Sequence, residues 1–138
     1  MAGKSGSFWR TAVNSDVLSG LKLGEVEKIQ FKSNDGILIE GFVIKPPGFV
    51  AGKQYPVVQP NPRGSTGYGQ AFCMAIWQDW GGPDYFDVMA SVDEVISRGW
   101  ADPDRMGVTG WSYDGILTNH VITKTDRFKA AATGASAT

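Results

Sequence analysis

One histidine, one cysteine and no long apolar run are the scarcities of this 138-residue chain, and each closes off a class of function. A lone cysteine, Cys73, cannot form an intrachain disulfide, and with His120 as the sole histidine there is no Cys/His spacing suited to zinc. No stretch approaches the roughly 18 apolar residues of a membrane span, and the opening "MAGKSGSFW" lacks the apolar core of a secretory signal. A formal net charge of -1, without a Lys/Arg cluster, gives no electrostatic reason to expect nucleic acid or an anionic membrane as partner. The expectation is a cytoplasmic protein without cofactor or metal, held together by packing.

What is present is ordinary for a globular domain: 42% hydrophobic and 20% charged residues. A chain of this length suits one domain that buries about two thirds of its unfolded surface. Of five tryptophans, Trp77, Trp80, Trp100 and Trp111 fall in the second half, which predicts a large core there.

Val26 to Lys45 has period two, with Ile29 and Phe31 alternating with Lys28, Gln30 and Lys32, and Ile37, Ile39, Gly41 and Val43 sharing a face. "SNDG" lies between the two runs, so the segment reads as a β-hairpin with a four-residue turn. "KPPGFVAGKQYP" is a loop, after which Val57 and Val58 alone precede "QPNPRGSTGYG", very short for a central strand. Gln70–Trp77 can be helical. Pro83 suits the first turn of a helix running toward Arg98, with Phe86, Met89, Val92 and Ile96 on one face. A buried strand at Met106–Thr109, a helix from Tyr113 to about Thr123 and a strand at Lys129–Thr133 follow, an order that predicts a parallel sheet with crossover helices.

"GWSYDG", residues 110–115, places Ser112 between a strand and a helix. A sharp turn there exposes a serine hydroxyl for nucleophilic attack, and the helix N-terminus offers backbone N–H groups to an oxyanion, that of Tyr113 first. The same position suits a helix N-cap, with Asp114 as a first-turn acid, and the spacing leaves both readings open. Asp114 stands where a small residue eases strand-to-helix packing, and its charge opposes an oxyanion. His120 lies eight residues on in the same helix, about 10 Å or more along the axis, out of reach as a base for Ser112.

Arg63 on a glycine-rich loop without a Lys-Ser/Thr ending reads as a structural ion-pairing residue. Asp79, Asp84, Asp87, Asp93 and Glu94 do not follow a calcium-loop spacing and are expected to face solvent or cap the helix near Pro83. Tyr68, Trp77 and Trp80 are expected in the core, with an apolar substrate pocket as the alternative.

Together, "NPRGSTGYGQAF", "DWGGPDYFDV", "DPDRMGVTGWSY" and "TDRFKAAATGAS" resemble the catalytic domain of the prolyl oligopeptidase family, especially its acylaminoacyl-peptidase-like branch. The resemblance runs from about Val26 to the end. It implies an α/β class chain: a partial α/β-hydrolase fold, a mostly parallel sheet with crossover helices and an N-terminal β-hairpin. It also implies a serine hydrolase acting on peptides or small acyl compounds without a cofactor, with Ser112 as nucleophile and Tyr113 as backbone oxyanion donor. The strand matching "YPVV" continues in the family into a His-Gly-Gly-Pro loop, a helix and a further strand, yet here Val58 joins Gln59 and Pro60 directly. The family's acid and histidine lie well downstream of the nucleophile, and Asp114 replaces the usual glycine.

The expectations are therefore an extension or remnant of a propeller exit segment over 1–25 and a truncated, internally deleted catalytic domain over 26–138. Activity of the isolated chain is expected to be weak or absent. The alternative is a non-catalytic, self-associating module in which Ser112 only caps a helix.

Overall fold

The computed structural model describes residues 13–50 and 57–136. Residues 1–12 of the expected N-terminal extension lie outside them; of the remainder, Ser15–Ser19 forms a one-turn helix, α1, that buries nothing. The hairpin follows its alternation. β1 (Glu25–Lys32) and β2 (Leu38–Lys45) pair antiparallel, with Ile29 opposite Gly41 and Phe31 opposite Ile39. The turn closes with Ser33 N–H donating to Ile37 O and Gly36 N–H to Ser33 O, and Gly36 takes the positive φ that a side chain resists. Ile37 falls outside the strand and is exposed.

β3 (Val57–Asn61) is longer than its two valines suggest and runs antiparallel to β2. It is the last strand of this sheet, whose order is β1-β2-β3, and an edge is where Pro60, which has no N–H to give a ladder, is tolerated. α2 is only Gln70–Met74, where a helix to Trp77 was expected; turns follow. α3 (Pro83–Ser97), with Pro83 in its first turn, packs against β1 and β3. β4 (Gly107–Trp111), α4 (Tyr113–Lys124) and β5 (Ala130–Gly134) form a strand-helix-strand unit whose two strands pair parallel, as the order of elements predicts.

The core sits between the hairpin and α3, not in the tryptophan-rich half. Ile29, Phe31, Ile39, Val43 and Val95 form it, with Val58, Phe72, Ala90, Trp100 and Ala101 packed around them. Trp77, Trp80 and Trp111 are each more than half exposed, and Trp100 lies under the cations of Lys45 and Arg98. The buried face of α3 is also not the expected apolar stripe. It carries Asp84, Asp87, Ser91 and Val95, while Phe86 is exposed.

Among the described residues the strands make two sheets, β1-β2-β3 and β4-β5. β3 and β4 both line one cavity of about 390 Å³, whose other walls include apolar side chains of α3 (Val88, Val92, Val95) and α4 (Leu117, Val121) and, among polar residues, Asp102 and Arg105. Each strand therefore presents an edge without a neighbouring strand. The parallel pairing expected of most of the sheet is confined to β4 and β5.

Candidate active site

The turn at Ser112 is built by close approach. Gly110, next to last in β4, lies against the first turn of α4, where a Cβ would lie 2.1 Å from Asp114 O. Gly115 lets that turn settle on β5, since a Cβ there would lie 2.7 Å from Gly134 O. The glycine one residue late in "GWSYDG" thus provides the helix-to-strand contact that Asp114 was expected to obstruct. Asp114 itself is exposed at the cavity mouth, where water screens its charge.

Ser112 adopts φ 57°, ψ -121°. For a residue with a Cβ, such a conformation costs about 1–3 kcal/mol and persists only where its surroundings enforce it. They do so here on both sides: Ser112 N–H donates to Gly134 O at 2.9 Å, and Ser112 O accepts the N–H of Ile116 at 3.1 Å. Ser112 holds the N-cap position, but its backbone is not in the β region usual for a cap and its hydroxyl makes no capping bond. The side chain is exposed. Tyr113 is the first helical residue, so its N–H has no acceptor within the helix and lies at the positive end of the dipole. An exposed hydroxyl beside unpaired N–H donors suits nucleophilic attack with oxyanion stabilisation.

His120 does not join this pair. It lies on α4 about 12 Å along the axis from Ser112, at ~1.5 Å per residue. Its ring packs on Gly81, whose φ of 76° and missing side chain make room; a Cβ there would lie 2.4 Å from His120 Cγ. Among the described residues, no carboxylate bonds to His120 and Ser112 Oγ makes no hydrogen bond.

Asp84 and Asp87, expected to face solvent or cap the helix near Pro83, are instead completely buried. Asp87 accepts from Arg63 Nη2 at 2.6 Å, Arg63 Nε at 2.9 Å, the Arg63 backbone N–H at 2.8 Å and Ser33 Oγ at 2.5 Å. Arg63 Nη1 also pairs with Asp35. The guanidinium thereby joins the hairpin turn, the loop after β3 and α3, and Asp87 above all holds its pKa above the ordinary arginine value. Asp84 accepts the Tyr113 hydroxyl at 2.5 Å and the Gly81 N–H at 3.3 Å. Burial first, and then this bond, push the Tyr113 phenol well above the usual tyrosine range. The Trp80 and Tyr113 rings meet at 89°, their centroids 5.4 Å apart.

Similarity to known proteins agrees with this geometry. The family profile described as the prolyl oligopeptidase family matches residues 45–138, more than half of the chain. The uncharacterized peptidase YuxL of Bacillus subtilis is 40% identical over 138 aligned positions that take in 78% of this chain and 21% of the relative. Since those positions outnumber the residues taken in, the relative has stretches with no counterpart here, as the direct junction of Val58 to Gln59 and Pro60 suggests. The acylamino-acid-releasing enzyme of Arabidopsis thaliana is 42% identical over 73 residues, covering 52% of this chain and 10% of that protein. Among solved structures, the acylaminoacyl peptidase of Pyrococcus horikoshii superposes with a TM-score of 0.81 at 28% identity, covering 90% of this chain and 26% of its own. The chain thus spans about a fifth to a quarter of the longer relatives, YuxL and the Pyrococcus enzyme. These matches, with the Ser112 turn between the first strand and the helix of a strand-helix-strand unit, establish that the chain belongs to the prolyl oligopeptidase family and has the α/β-hydrolase fold.

Proposed function

We propose that this chain carries the nucleophile of a serine-peptidase-type hydrolase acting on peptides or small acyl compounds. Ser112 attacks the acyl carbon and the Tyr113 N–H stabilises the oxyanion. The single observation that carries the reading is the left-handed, uncapped Ser112 held between β4, β5 and α4. The isolated chain is expected to be a poor catalyst, because His120 packs against Gly81 and, among the described residues, no base meets Ser112 Oγ. Loss of triad partners leaves about 10³ to 10⁴ over water where an oxyanion site survives. Hydrolysis of an activated p-nitrophenyl ester tests this: slow turnover that vanishes in Ser112→Ala supports it, and equal rates in the two proteins refute it.

A second reading, self-association without catalysis, is favoured by one observation: β3 and β4 present open edges to one apolar cavity. Such edges pair readily with other chains. Concentration-dependent oligomers in sedimentation velocity support it, and a monomer with a sharp, concentration-independent unfolding transition refutes it. The proposed setting is cytoplasmic. A single free cysteine is compatible with a reducing compartment, and among the described residues no helix is long and apolar enough to cross a membrane.

A further inference from the structure

We infer that Asp84 is a positioning residue for the Ser112–Tyr113 turn, acting through the Tyr113 hydroxyl; this rests on the nucleophile reading above. Asp84 is wholly buried in the first turn of α3, twenty-eight residues before Ser112 in sequence and on another element. Its Oδ2 accepts the Tyr113 hydroxyl and the Gly81 N–H, while Oδ1 is buried with no partner among the described residues. A buried carboxylate oxygen left without a donor carries a desolvation penalty. The arrangement is therefore not the one that best satisfies Asp84 alone. It is the one that anchors Tyr113.

Tyr113 needs such an anchor because its backbone sits at a strained junction. β5 fixes one side of the turn through the Ser112 N–H bond to Gly134 O. On the α4 side, where Ser112 O accepts the Ile116 N–H, the contact with the neighbouring 80–84 segment is made through the Tyr113 side chain, by Asp84 and by the Trp80 ring. The Trp80–Asp84 segment is in turn fastened to α4 about two to three turns further on. Lys124 Nζ donates to Gly81 O, and the His120 ring fills the space over Gly81. Tyr113 and Asp84 thus close a ring that runs from the start of α4 through the 80–84 turn and back to α4. The ring sets the direction of the Tyr113 N–H, the donor placed at the oxyanion. An oxyanion donor is useful only when aimed where charge develops, and its outright removal costs about 10²–10³ in rate. Misaiming it costs less, and a loss of about tenfold is expected when Asp84 releases the phenol.

The test follows phosphonylation of the chain by a fluorophosphonate over a range of reagent concentrations, separating the maximal rate from the half-saturating concentration. The proteins are wild type, Asp84→Asn, Tyr113→Phe, the double variant and Ser112→Ala, with each folded state checked by urea unfolding. The expected result is about a tenfold fall in maximal rate in each single variant, an unchanged half-saturating concentration, and no further fall in the double variant. Wild-type rates in Asp84→Asn, or multiplying losses in the double variant, overturn the inference while leaving the nucleophile reading intact. If Asp84→Asn does not fold, Tyr113→Phe with a wild-type rate overturns it equally, because the path through the hydroxyl is then absent. No labelling of folded wild type overturns both the nucleophile reading and the inference resting on it.

Discussion

Replacing Asp87 by alanine removes the acceptor around which Arg63 is built, and the loss should be among the largest that one substitution can cause here. Asp87 is fully buried and the Arg63 side chain is 9% exposed, so neither is compensated by water when the other is removed. Breaking a buried pair from one side costs about 3–5 kcal/mol, because a charge stays behind in a medium that solvates it poorly. Asp35 moderates the effect by retaining a bond to Arg63 at the surface, but the Arg63 N–H and Ser33 Oγ also lose their partner. Against a total stability of about 5–15 kcal/mol, the variant loses about a fifth or more. Urea unfolding followed by tryptophan fluorescence should show a midpoint lower by about 2 M at unchanged slope. Converting both partners to apolar residues, Arg63→Met with Asp87→Leu, should cost only about 1–3 kcal/mol, mainly the abandoned backbone N–H. An Asp87→Ala variant within about 1 kcal/mol of wild type, or a double variant as costly as its singles combined, would refute the reasoning.

Three further outcomes follow from the same contacts. Because the Tyr113 phenol is raised in the folded chain, the stability it brings is fully present below the ordinary tyrosine value near 10 and is lost as pH climbs through the raised value. Urea midpoints should therefore fall above about pH 10, and less steeply in Tyr113→Phe. His120→Asn should label with fluorophosphonate within about twofold of wild type, since the ring lies ~12 Å along α4 from Ser112; a loss of 10²-fold or more would make His120 a base after all. Asp114→Gly should leave ester turnover low, because the close contact of α4 with β5 already falls at Gly115 and no base is gained; turnover typical of an intact triad enzyme, about 1 s⁻¹ or more, would contradict this.

The parts of the fold that the sequence made legible are those in which one local pattern decides the outcome. The hairpin alternation, Pro83 at the start of α3, and the strand-turn-helix around Ser112 all depend on neighbours within a few residues. What was not legible depends on partners far along the chain. Asp84 and Asp87 sit three residues apart on α3 as surface acids do, yet Arg63, Ser33 and Tyr113 make their burial tolerable. Phe86, Trp77 and Trp80 were expected inside because they are large and apolar, but the core closes on the hairpin side of α3. Separation of the strands into two sheets also had no local signal beyond the abrupt junction after Val58. At the candidate site, the turn that places Ser112 and Tyr113 between β4 and α4 was legible from the local sequence. Asp84 was seen only as one acid in a run, and its hydrogen bond to Tyr113 spans 29 residues.

The central claim is that Ser112 is poised as a nucleophile and is not a structural cap. Its most direct test is the intact mass of the folded chain after exposure to a fluorophosphonate, beside Ser112→Ala. The account predicts one adduct per chain, formed slowly, mapped to Ser112 and missing from the variant. An unlabelled wild type with a cooperative unfolding transition, or an adduct that persists in Ser112→Ala, would contradict it.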